Sequence, residues 1–360
     1  MKRLSIISAC IMVAASAWSQ ATKILTAEKS NEYGIVYSLP QTALEIEVSV
    51  RHTVEKKGPF YLYAKKYIGT ADVVTEDSEK WEITGIKVTP YGVPDSGTQY
   101  LMQLKAGSPV FVAVDADGML LAINKEVPAP ERRGNKPSAQ AQPTKWPDGK
   151  EYLDFVDEDF IASKSPARQA QLLAEALMEV RDSRLSLTRG TADAMPTDGK
   201  QLELMLNSLA EQETAMTEAF TGSVTTESAT RTFTFIPETD GKEILFRLSD
   251  FAGFVDADDL SGDAVNIEIS SANRPKLPVD AKGEEKKLPK NAVIYNLPGS
   301  AQVTISTLGK TLYDKELNLA QFGITFGLDP SLFSDKKQPS FATFDPVTGA
   351  LMETGTLKQN

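Results

Sequence analysis

The chain has 360 residues, of which 41% are hydrophobic, and its 49 acidic and 38 basic residues give a formal net charge of −11. This charge argues against nucleic acid and anionic membrane surfaces as partners, because both repel a negatively charged protein. The only cysteine is Cys10, so the chain beyond it has no disulfide, thiolate metal site or cysteine nucleophile.

Residues 1–19 have the three parts of a secretory signal peptide. Met1–Arg3 is a short positive region, Leu4–Ala17 is almost wholly apolar, and small residues near the end predict cleavage before Gln20. We therefore expect an exported chain that stays in the periplasm, associates with the outer membrane or is secreted. No later stretch of the sequence approaches the roughly 20 apolar residues of a membrane span.

Ile7–Cys10 resembles a lipobox, in which the cysteine would become the lipidated N-terminus. Only six residues lie between Arg3 and Cys10, which is too few for an apolar region of roughly 7 to 15 residues. The apolar run also continues past the cysteine. We therefore predict that Cys10 belongs to the signal peptide and that the protein is not a lipoprotein.

Residues 20–127 are predicted to form an N-terminal β-rich domain. In the segment TALEIEVSVRHT, apolar and polar residues alternate from Leu44 to Val50, which is the period expected when one face of a sheet is buried. Three further segments continue this pattern, and Asp115–Gly118 is the predicted hairpin turn of the last one. One short helix is predicted in GPFYLYAKKYIG, where Gly69 can close it in the left-handed conformation.

The segment 128–149 is rich in proline, alanine, glutamine and charge, which predicts a flexible linker or long loop. Residues 150–222 then change to helical periodicity. A first helix is predicted from the cap Ser165 and from Pro166, and a second helix ends at Gly222. The short connection between the two helices predicts an antiparallel αα-hairpin.

Residues 223–360 return to a period of two and are predicted to form a C-terminal β-rich domain. The segment NRPKLPVDAKGEEKKLPK is predicted to be a charged, flexible excursion between two of its strands. Because the runs of strands are separated from the helices, the fold class is α+β and mostly β. We expect two antiparallel, sandwich-like β-rich regions with an αα-hairpin between them.

Two segments of the chain resemble each other. IVYSLPQTALEIEV, from Ile35, and VIYNLPGSAQVTIS, from Val293, align without gaps and share a Tyr-x-Leu-Pro pattern. Each is interpreted as a strand that is broken by proline and then resumes. Either the two β-rich regions are related modules or pair in similar ways, or the similarity is a coincidence between strand-like segments.

Five segments carry a resemblance to a known family: GIVYSLP, LNSLAEQETAMTEAFTG, IYNLPGSAQV, AQFG and FDPVTGAL. With them, the chain resembles a family of exported proteins that is common in Bacteroides-type bacteria and is classed as a domain of unknown function. The resemblance runs from about Gly34 to Leu351. It implies an exported protein of the cell envelope and does not imply an activity, a ligand or a catalytic residue.

His52 is the only histidine and lies in the alternating strand. Its ionisation suits general-base chemistry, but neither a G-x-S-x-G nor an H-E-x-x-H pattern occurs in the chain. A structural or surface role for His52 is therefore preferred. The sequence assigns no catalytic and no cofactor-binding residue.

The segment VDADDLSGD concentrates aspartates near a glycine, which makes it a candidate calcium site. It departs from the EF-hand pattern, and aspartate and glycine are also what an exposed turn selects. The preferred expectation is therefore a protein without a cofactor. The candidate calcium ligands are Asp256, Asp258, Asp259 and Asp263.

Glu213 interrupts the apolar stripe of the second predicted helix, and Arg184 interrupts that of the first. A charge on a buried helix face is costly unless it is paired, so both are predicted to be structural polar residues in the core. The alternative for Glu213 is a functional carboxylate with a raised pKa. Helices that meet near residue 194 would place Arg184 opposite about residue 204, so the partner of Glu213 is expected elsewhere.

Four aromatic residues of the N-terminal domain either fill a core, which is preferred, or stack on the sugar rings of a glycan. The 49 acidic residues also leave a two-carboxylate hydrolase open without singling out a pair. The sequence favours a non-catalytic protein that acts by binding or assembly at the cell envelope. A glycan- or peptide-binding module and a carboxylate-dependent hydrolase are the alternatives. The four aromatic residues are Tyr61, Tyr63, Tyr67 and Trp81.

Overall fold

The computed structural model describes residues 34–103, 110–128, 130, 148–289, 292–335 and 338–357. The predicted signal peptide and Cys10 lie outside these residues, as does most of the predicted linker 128–149. The described elements confirm the α+β class with a majority of strands. Within the described part of the chain, no helix is both long and apolar enough to cross a membrane.

Along the chain, a run of strands with one short helix is followed by a run of helices and then by a second run of strands with one short helix. The strands are β1 (Gly34–Lys56), β2 (Ser78–Gln103), β3 (Val112–Val114), β4 (Leu120–Ile123), β5 (Ser223–Phe235), β6 (Gly241–Ser249), β7 (Gly253–Val255), β8 (Asp263–Asn273), β9 (Val293–Thr307), β10 (Lys310–Leu328), β11 (Ser340–Phe344) and β12 (Leu351–Thr356). The helices are α1 (Ala64–Tyr67), α2 (Glu158–Ala162), α3 (Pro166–Arg189), α4 (Gly199–Thr221) and α5 (Ser331–Ser334), with 3-10 turns at Tyr61–Tyr63 and Glu151–Phe155.

These strands form three antiparallel sheets. Sheet I has the order β2-β1-β5, sheet II the order β10-β9-β8-β6-β7, and sheet III the order β12-β11-β4-β3. The alternating apolar residues from Leu44 to Val50 of β1 are buried, as the sequence predicts, and belong to one hydrophobic core with Val303 and Ile305 of β9. Sheets I and II therefore share a core.

Sheets I and III each combine strands from both predicted β-rich domains. β5 pairs with β1 from Leu44 opposite Phe235 to Lys56 opposite Ser223, and β4 pairs with β11. The alternation of apolar and polar residues shows which face of a strand is buried, but it does not show which strand will pair with it. The domain limits at 127 and 223 stay a prediction, and the strands on either side of them are joined by hydrogen bonds.

Helices α3 and α4 pack against each other and contribute to a second hydrophobic core. Helix α3 begins at Pro166, as predicted, although the side chain of Ser165 makes no capping hydrogen bond. Helix α4 is capped by Asp198, whose carboxylate accepts a hydrogen bond from the Gln201 N–H at 2.8 Å. It ends before Gly222, whose φ of +79° favours glycine.

Candidate functional site

The two Tyr-x-Leu-Pro strands are built in the same way. The β1–β2 register shifts between Ser38 and Pro40, and the β9–β10 register shifts between Leu319 and Ile324, on the partner strand opposite Pro298. The ladder leaves out Leu39, next to Pro40, in β1 and Pro298 in β9, and pairing continues on both sides of each interruption. Proline has no N–H to donate to a ladder, which agrees with an interruption at or beside it. The structure confirms that the two segments pair in similar ways.

The tyrosines of the two patterns also occupy equivalent places. Tyr37 faces Tyr100 across β1 and β2, with ring centroids 5.8 Å apart. Tyr295 faces Phe326 across β9 and β10, with ring centroids 6.4 Å apart. Burial raises the pKa of both tyrosine hydroxyls. Each long strand therefore has, just before its proline, a buried tyrosine that forms a cross-strand aromatic pair with a half-buried ring.

Each long strand then contacts a hairpin that follows it in the chain. The N–H of Ser38 donates to the carbonyl oxygen of Gly118 at 2.9 Å, and the N–H of Asn296 donates to that of Gly349 at 3.1 Å. Ser38 and Asn296 are aligned in the repeated pattern. Gly118 and Gly349 have φ values of +82° and +72°, which favour glycine.

The two hairpins are a second repeat, which the sequence interpretation missed. FVAVDADGMLLAI, from Phe111, and FATFDPVTGALMET, from Phe341, share Phe-x-x-x-Asp followed by Gly-x-Leu, but their turns differ by one residue. This length difference hides the match from an ungapped comparison. In both turns the aspartate accepts backbone hydrogen bonds, at 2.9 Å from the Asp117 N–H to Asp115 and at 3.1 Å from the Val347 N–H to Asp345.

The hairpins have identical registers. In each hairpin, one residue of the second strand has no partner in the ladder, and this bulge lies at the equivalent position. The unpartnered residues are Leu121 and Met352. The chain thus contains module 1, which comprises β1 to β4, and module 2, which comprises β9 to β12. The equivalent pairs are Val112–Ile123 and Ala342–Thr354, Ala113–Ala122 and Thr343–Glu353, and Val114–Leu120 and Phe344–Leu351.

Sheet III places the two hairpins side by side in the order β3, β4, β11, β12. Inside the chain, β4 pairs with β11 through two residue pairs, Ile123 with Ala342 and Ala122 with Thr343. In the repeat, β12 corresponds to β4 and β3 corresponds to β11. The outer edge of β12 is therefore equivalent to the edge of β4 that pairs with β11. Likewise, the outer edge of β3 is equivalent to the edge of β11 that pairs with β4. Among the described residues, no strand pairs with the outer edge of β12 or of β3. We call these two edges the open edges.

Side chains at the open edges are exposed where their counterparts are buried. Met352 of β12 is 68% exposed, whereas its counterpart Leu121 is 4% exposed. Val114 of β3 is 38% exposed, whereas its counterpart Phe344 is 5% exposed. Phe111, next to β3, is 50% exposed. Apolar side chains beside unpaired backbone groups are features of a contact surface.

The model of a family described as Domain of unknown function (DUF4831) matches residues 33–352. The chain belongs to the DUF4831 family. No curated protein and no solved structure matches it. In this DUF4831 chain, the matched range includes module 1, the helices between the modules, and module 2 as far as Met352, the second residue of β12. The open edge of β3 therefore lies within the family domain, and the open edge of β12 begins in it.

Glu213 of the DUF4831 chain is held by two arginines of the neighbouring helix. Its Oε1 lies 2.9 Å from Nε of Arg181, and its Oε2 lies 2.6 Å from Nη1 of Arg184. The expectation that its partner lies away from Arg184 is therefore wrong, because long arginine side chains reach beyond the residue directly opposite. The Arg184 side chain is 49% exposed, so it lies at the rim of the helix pair and not in the core.

The direction of the Glu213 pKa shift agrees with the ion pair. Burial acts to raise this pKa, but the hydrogen bonds from Arg184 and Arg181 outweigh burial and lower it below its ordinary value. The two arginine partners and the lowered pKa favour the structural interpretation over a functional carboxylate with a raised pKa. The geometry is that of a structural ion pair between α3 and α4.

His52 and Trp81 form a stacked pair in sheet I. Their ring centroids are 4.1 Å apart and their planes differ by 8°. The buried imidazole has its Nε2 2.8 Å from Oε1 of Glu79. Gly253 also packs on the indole, so closely that an added Cβ would lie 3.1 Å from the ring. These contacts favour structural roles for both residues over catalysis or sugar stacking.

The three tyrosines near α1 are half-buried. Tyr63 and Tyr67 pack against the core of α3 and α4, with their ring centroids 6.3 Å apart. The ammonium group of Lys57 lies 5.5 Å from the ring centroid of Tyr61. Packing of this kind favours the core interpretation over a glycan platform.

The aspartate-rich loop between β7 and β8 is held by Arg247. The guanidinium of Arg247 donates to the carbonyl oxygens of Ala257 at 2.9 Å and Gly262 at 3.0 Å. In the described part of the chain, no group of three or more His, Cys, Asp or Glu side chains could hold a metal ion. The candidate ligands Asp256, Asp258, Asp259 and Asp263 lie in this described part and form no such group.

An acidic groove of about 650 Å³ lies between α4 and the 3-10 turn Glu151–Phe155. Burial raises the pKa of Glu218 in this groove, and the negative charge of Glu151 adds to the effect. The sequence interpretation missed this pair. Nothing in the spacing of residues so distant in the chain could have shown that they meet.

Proposed function

We propose that this protein is an exported, non-catalytic protein of the cell envelope that acts by binding or assembly through the open edges of sheet III. The observation that carries the proposal is the correspondence between these edges and the β4–β11 junction. Each open edge has the strand geometry of an edge that is already paired inside the chain. A surface that makes a strand pairing in one copy of the module is suited to make it in the other.

Strand addition is the recognition mode that such edges support. An unpaired edge presents a row of N–H and C=O groups, and main-chain hydrogen bonds to an added strand supply affinity. Exposed side chains beside the edge supply specificity, and here they are the apolar Met352, Val114 and Phe111. A protein strand is therefore the partner that fits, in preference to a glycan.

Two features of the sequence support the cellular part of the proposal. The predicted signal peptide at 1–19 supports export, and the net charge of −11 favours a protein partner over nucleic acid. Because export would leave the mature protein in or beyond the envelope, its partner would be sought there.

A carboxylate-dependent hydrolase is the second candidate. The groove that contains Glu218 favours it, because a carboxyl group whose pKa is raised can keep its proton and act as a general acid. This candidate predicts that Glu218→Gln abolishes a glycosidase activity of the purified chain, and hydrolysis that survives the change would exclude Glu218 as its acid.

Site-specific crosslinking in the envelope tests the first proposal. A photo-crosslinking amino acid would replace Met352 or Phe111 in the full chain, and adducts would be identified by mass spectrometry. We expect reproducible protein adducts at both positions and none at Leu260, a control residue that is 82% exposed in the aspartate-rich loop. Equal labelling at Leu260, or no adducts at either edge, would overturn the proposal.

A further inference from the structure

We infer that the partner at each open edge is a second copy of this chain, and that copies join head to tail with β12 of one copy beside β3 of the next. The inference rests on the proposed function and names its partner. It follows from the way the two modules already meet inside one chain. The β4–β11 junction is a strand pairing between module 1 and module 2, and a junction between copies would repeat it.

The internal junction fixes the register of the external one. Inside the chain, Ile123 faces Ala342 and Ala122 faces Thr343. Thr354 and Glu353 hold the equivalent positions in β12, and Val112 and Ala113 hold them in β3. Between copies, Thr354 would therefore face Val112, and Glu353 would face Ala113.

The start of the edge is already used in the same way in both modules. Met119, just before β4, forms a bridge with Ser38 of β1, and Ala350, just before β12, forms a bridge with Asn296 of β9. Beyond this bridge, the edge of β4 continues into its pairing with β11. The edge of β12 has the same beginning, so a strand of the β11 type would complete it.

Exposed apolar area agrees with this occupant. Met352 is 68% exposed where Leu121 is buried, and Val114 is 38% exposed where Phe344 is buried. A partner that reproduced the internal junction would bring each exposed side chain into the surroundings of its buried counterpart. The gain from burying apolar surface would then add to the main-chain hydrogen bonds.

The outer edges of the other sheets do not carry the same argument. β2 and β10 correspond to each other and both are the outermost strands of their sheets. The described chain therefore offers no paired version of that edge to copy. Among the strands that the structure describes, only those of sheet III include both a paired and an open version of the same edge.

The two open edges differ from each other, which determines the kind of assembly. An edge of the β12 type pairs with an edge of the β3 type, so the contact is heterologous. Repeated head-to-tail contacts close into a ring or continue as a filament, depending on the rotation between copies. The ladder of two residue pairs is short, so we expect each junction to be weak and to form at high local concentration.

Cysteine pairing between different chains tests the register. From Gln20 onward the chain has no cysteine, so introduced thiols are the only ones. One preparation would carry Glu353→Cys and the other Ala113→Cys, both in the chain that starts at Gln20. Facing residues of an antiparallel ladder have Cβ atoms about 4.5–5.5 Å apart, which a small local adjustment brings within disulfide reach.

We expect a mixture of the two variants to form a disulfide-linked heterodimer under mild oxidation, and the variants mixed with wild type to form none. Ala122→Cys combined with Thr343→Cys in one chain is the positive control, because these residues face each other inside the molecule. Met352→Cys mixed with Ala113→Cys is the register control and should crosslink less. Glu353 pairs with Lys125 at 2.5 Å on the exposed surface, so its loss should cost little stability.

Sedimentation of the chain without introduced cysteines gives an independent measurement. We expect concentration-dependent association that Met352→Glu weakens at least about tenfold, while Leu260→Glu leaves it unchanged. Absence of both the heterodimer and the association would overturn the second copy as partner. If Met352 then still crosslinks to a different envelope protein, the proposed function stands without the inference, and if it crosslinks to nothing, both are wrong.

Discussion

The Tyr37 hydroxyl and the backbone of Ile294 are joined by two hydrogen bonds. The hydroxyl donates to the Ile294 carbonyl oxygen at 3.1 Å and accepts from the Ile294 N–H at 2.8 Å. These bonds connect β1 of module 1 with β9 of module 2. The connection is asymmetric, because among the described residues the hydroxyl of the equivalent Tyr295 makes no corresponding bond.

Tyr37→Phe removes this connection and leaves both backbone groups of Ile294 without it. Buried polar groups that lose their partner cost about 1–3 kcal/mol of stability, so we expect a loss of that size in the free energy of unfolding. Chemical denaturation of the chain from Gln20 measures it. Tyr295→Phe is the matched control and should cost less, and equal losses would contradict the role of the Tyr37 hydroxyl.

Gly349 and Gly118 occupy equivalent turns but differ in the space around them. A Cβ at Gly349 would lie 2.9 Å from Cδ of Pro40 and 3.0 Å from Nδ2 of Asn296, whereas a Cβ at Gly118 would meet nothing within 4 Å. Alanine is strained by positive φ at both sites, by roughly 1–2 kcal/mol.

We therefore expect Gly349→Ala to be more destabilising than Gly118→Ala, by roughly 1–3 kcal/mol for the added overlap. Thermal melts of the two variants, analysed with one unfolding enthalpy, measure the difference. Melting temperatures that fall equally in both would show that packing of the module 2 turn against β1 and β9 contributes nothing.

Glu213→Gln tests the ion pair between α3 and α4. The pKa of Glu213 is lowered in the folded chain, so its contribution to stability is present above the ordinary pKa of 4.5 and is lost as the pH falls through the lowered value. We expect the variant to lose about 1 kcal/mol at pH 7 and progressively less in acid. Denaturation across this pH range measures the effect, with the exposed Glu211→Gln as control. An unchanged stability at pH 7 would contradict a structural pair.

Glu218→Gln should have the opposite effect. The pKa of Glu218 is raised in the folded chain, so the folded state holds the proton more tightly than the unfolded state does. Its contribution to stability is therefore largest below the ordinary value of 4.5 and is lost as the pH rises through the raised pKa. Glutamine stays neutral, so we expect the variant to melt higher than wild type at pH 7.

The gain of the Glu218→Gln variant should disappear below about pH 4, where the wild-type carboxyl is neutral as well. Glu203→Gln, which changes an exposed carboxyl of the same helix, should show neither the gain nor its disappearance. A variant that melts lower than wild type at pH 7 would mean that the charged form of Glu218 is stabilising.

Local features of the fold were predictable from the sequence, but the pairing of strands and the contacts between distant side chains were not. The alternation in β1, the start of α3 at Pro166 and the end of α4 before Gly222 follow from rules that act over a few residues. The pairing of β5 with β1 depends on which edge a returning strand reaches, and no residue pattern states this. Glu213 shows the same limit, because its place on the helix was evident and its arginine partners were not.

The repeat was only half visible in the sequence. The Tyr-x-Leu-Pro strands align without a gap, whereas the turns around Asp115 and Asp345 differ by one residue. Their common role emerges from the ladder, since both hairpins pass over one residue at the same place. The open edges follow from the order of strands in sheet III, which is a property of three-dimensional arrangement alone.

The prolines of β1 and β9 mark the places where each strand passes from one hydrophobic core to another. Tyr37 and Tyr295, before the prolines, pack in one core, while Leu44 and Val303, after them, pack in the core between sheets I and II. Because β1 and β9 contribute to both cores, unfolding of one core would also remove these two strands from the other core. The β-rich part of the molecule should therefore melt in a single cooperative transition, and limited proteolysis should release neither module as a fragment that remains folded.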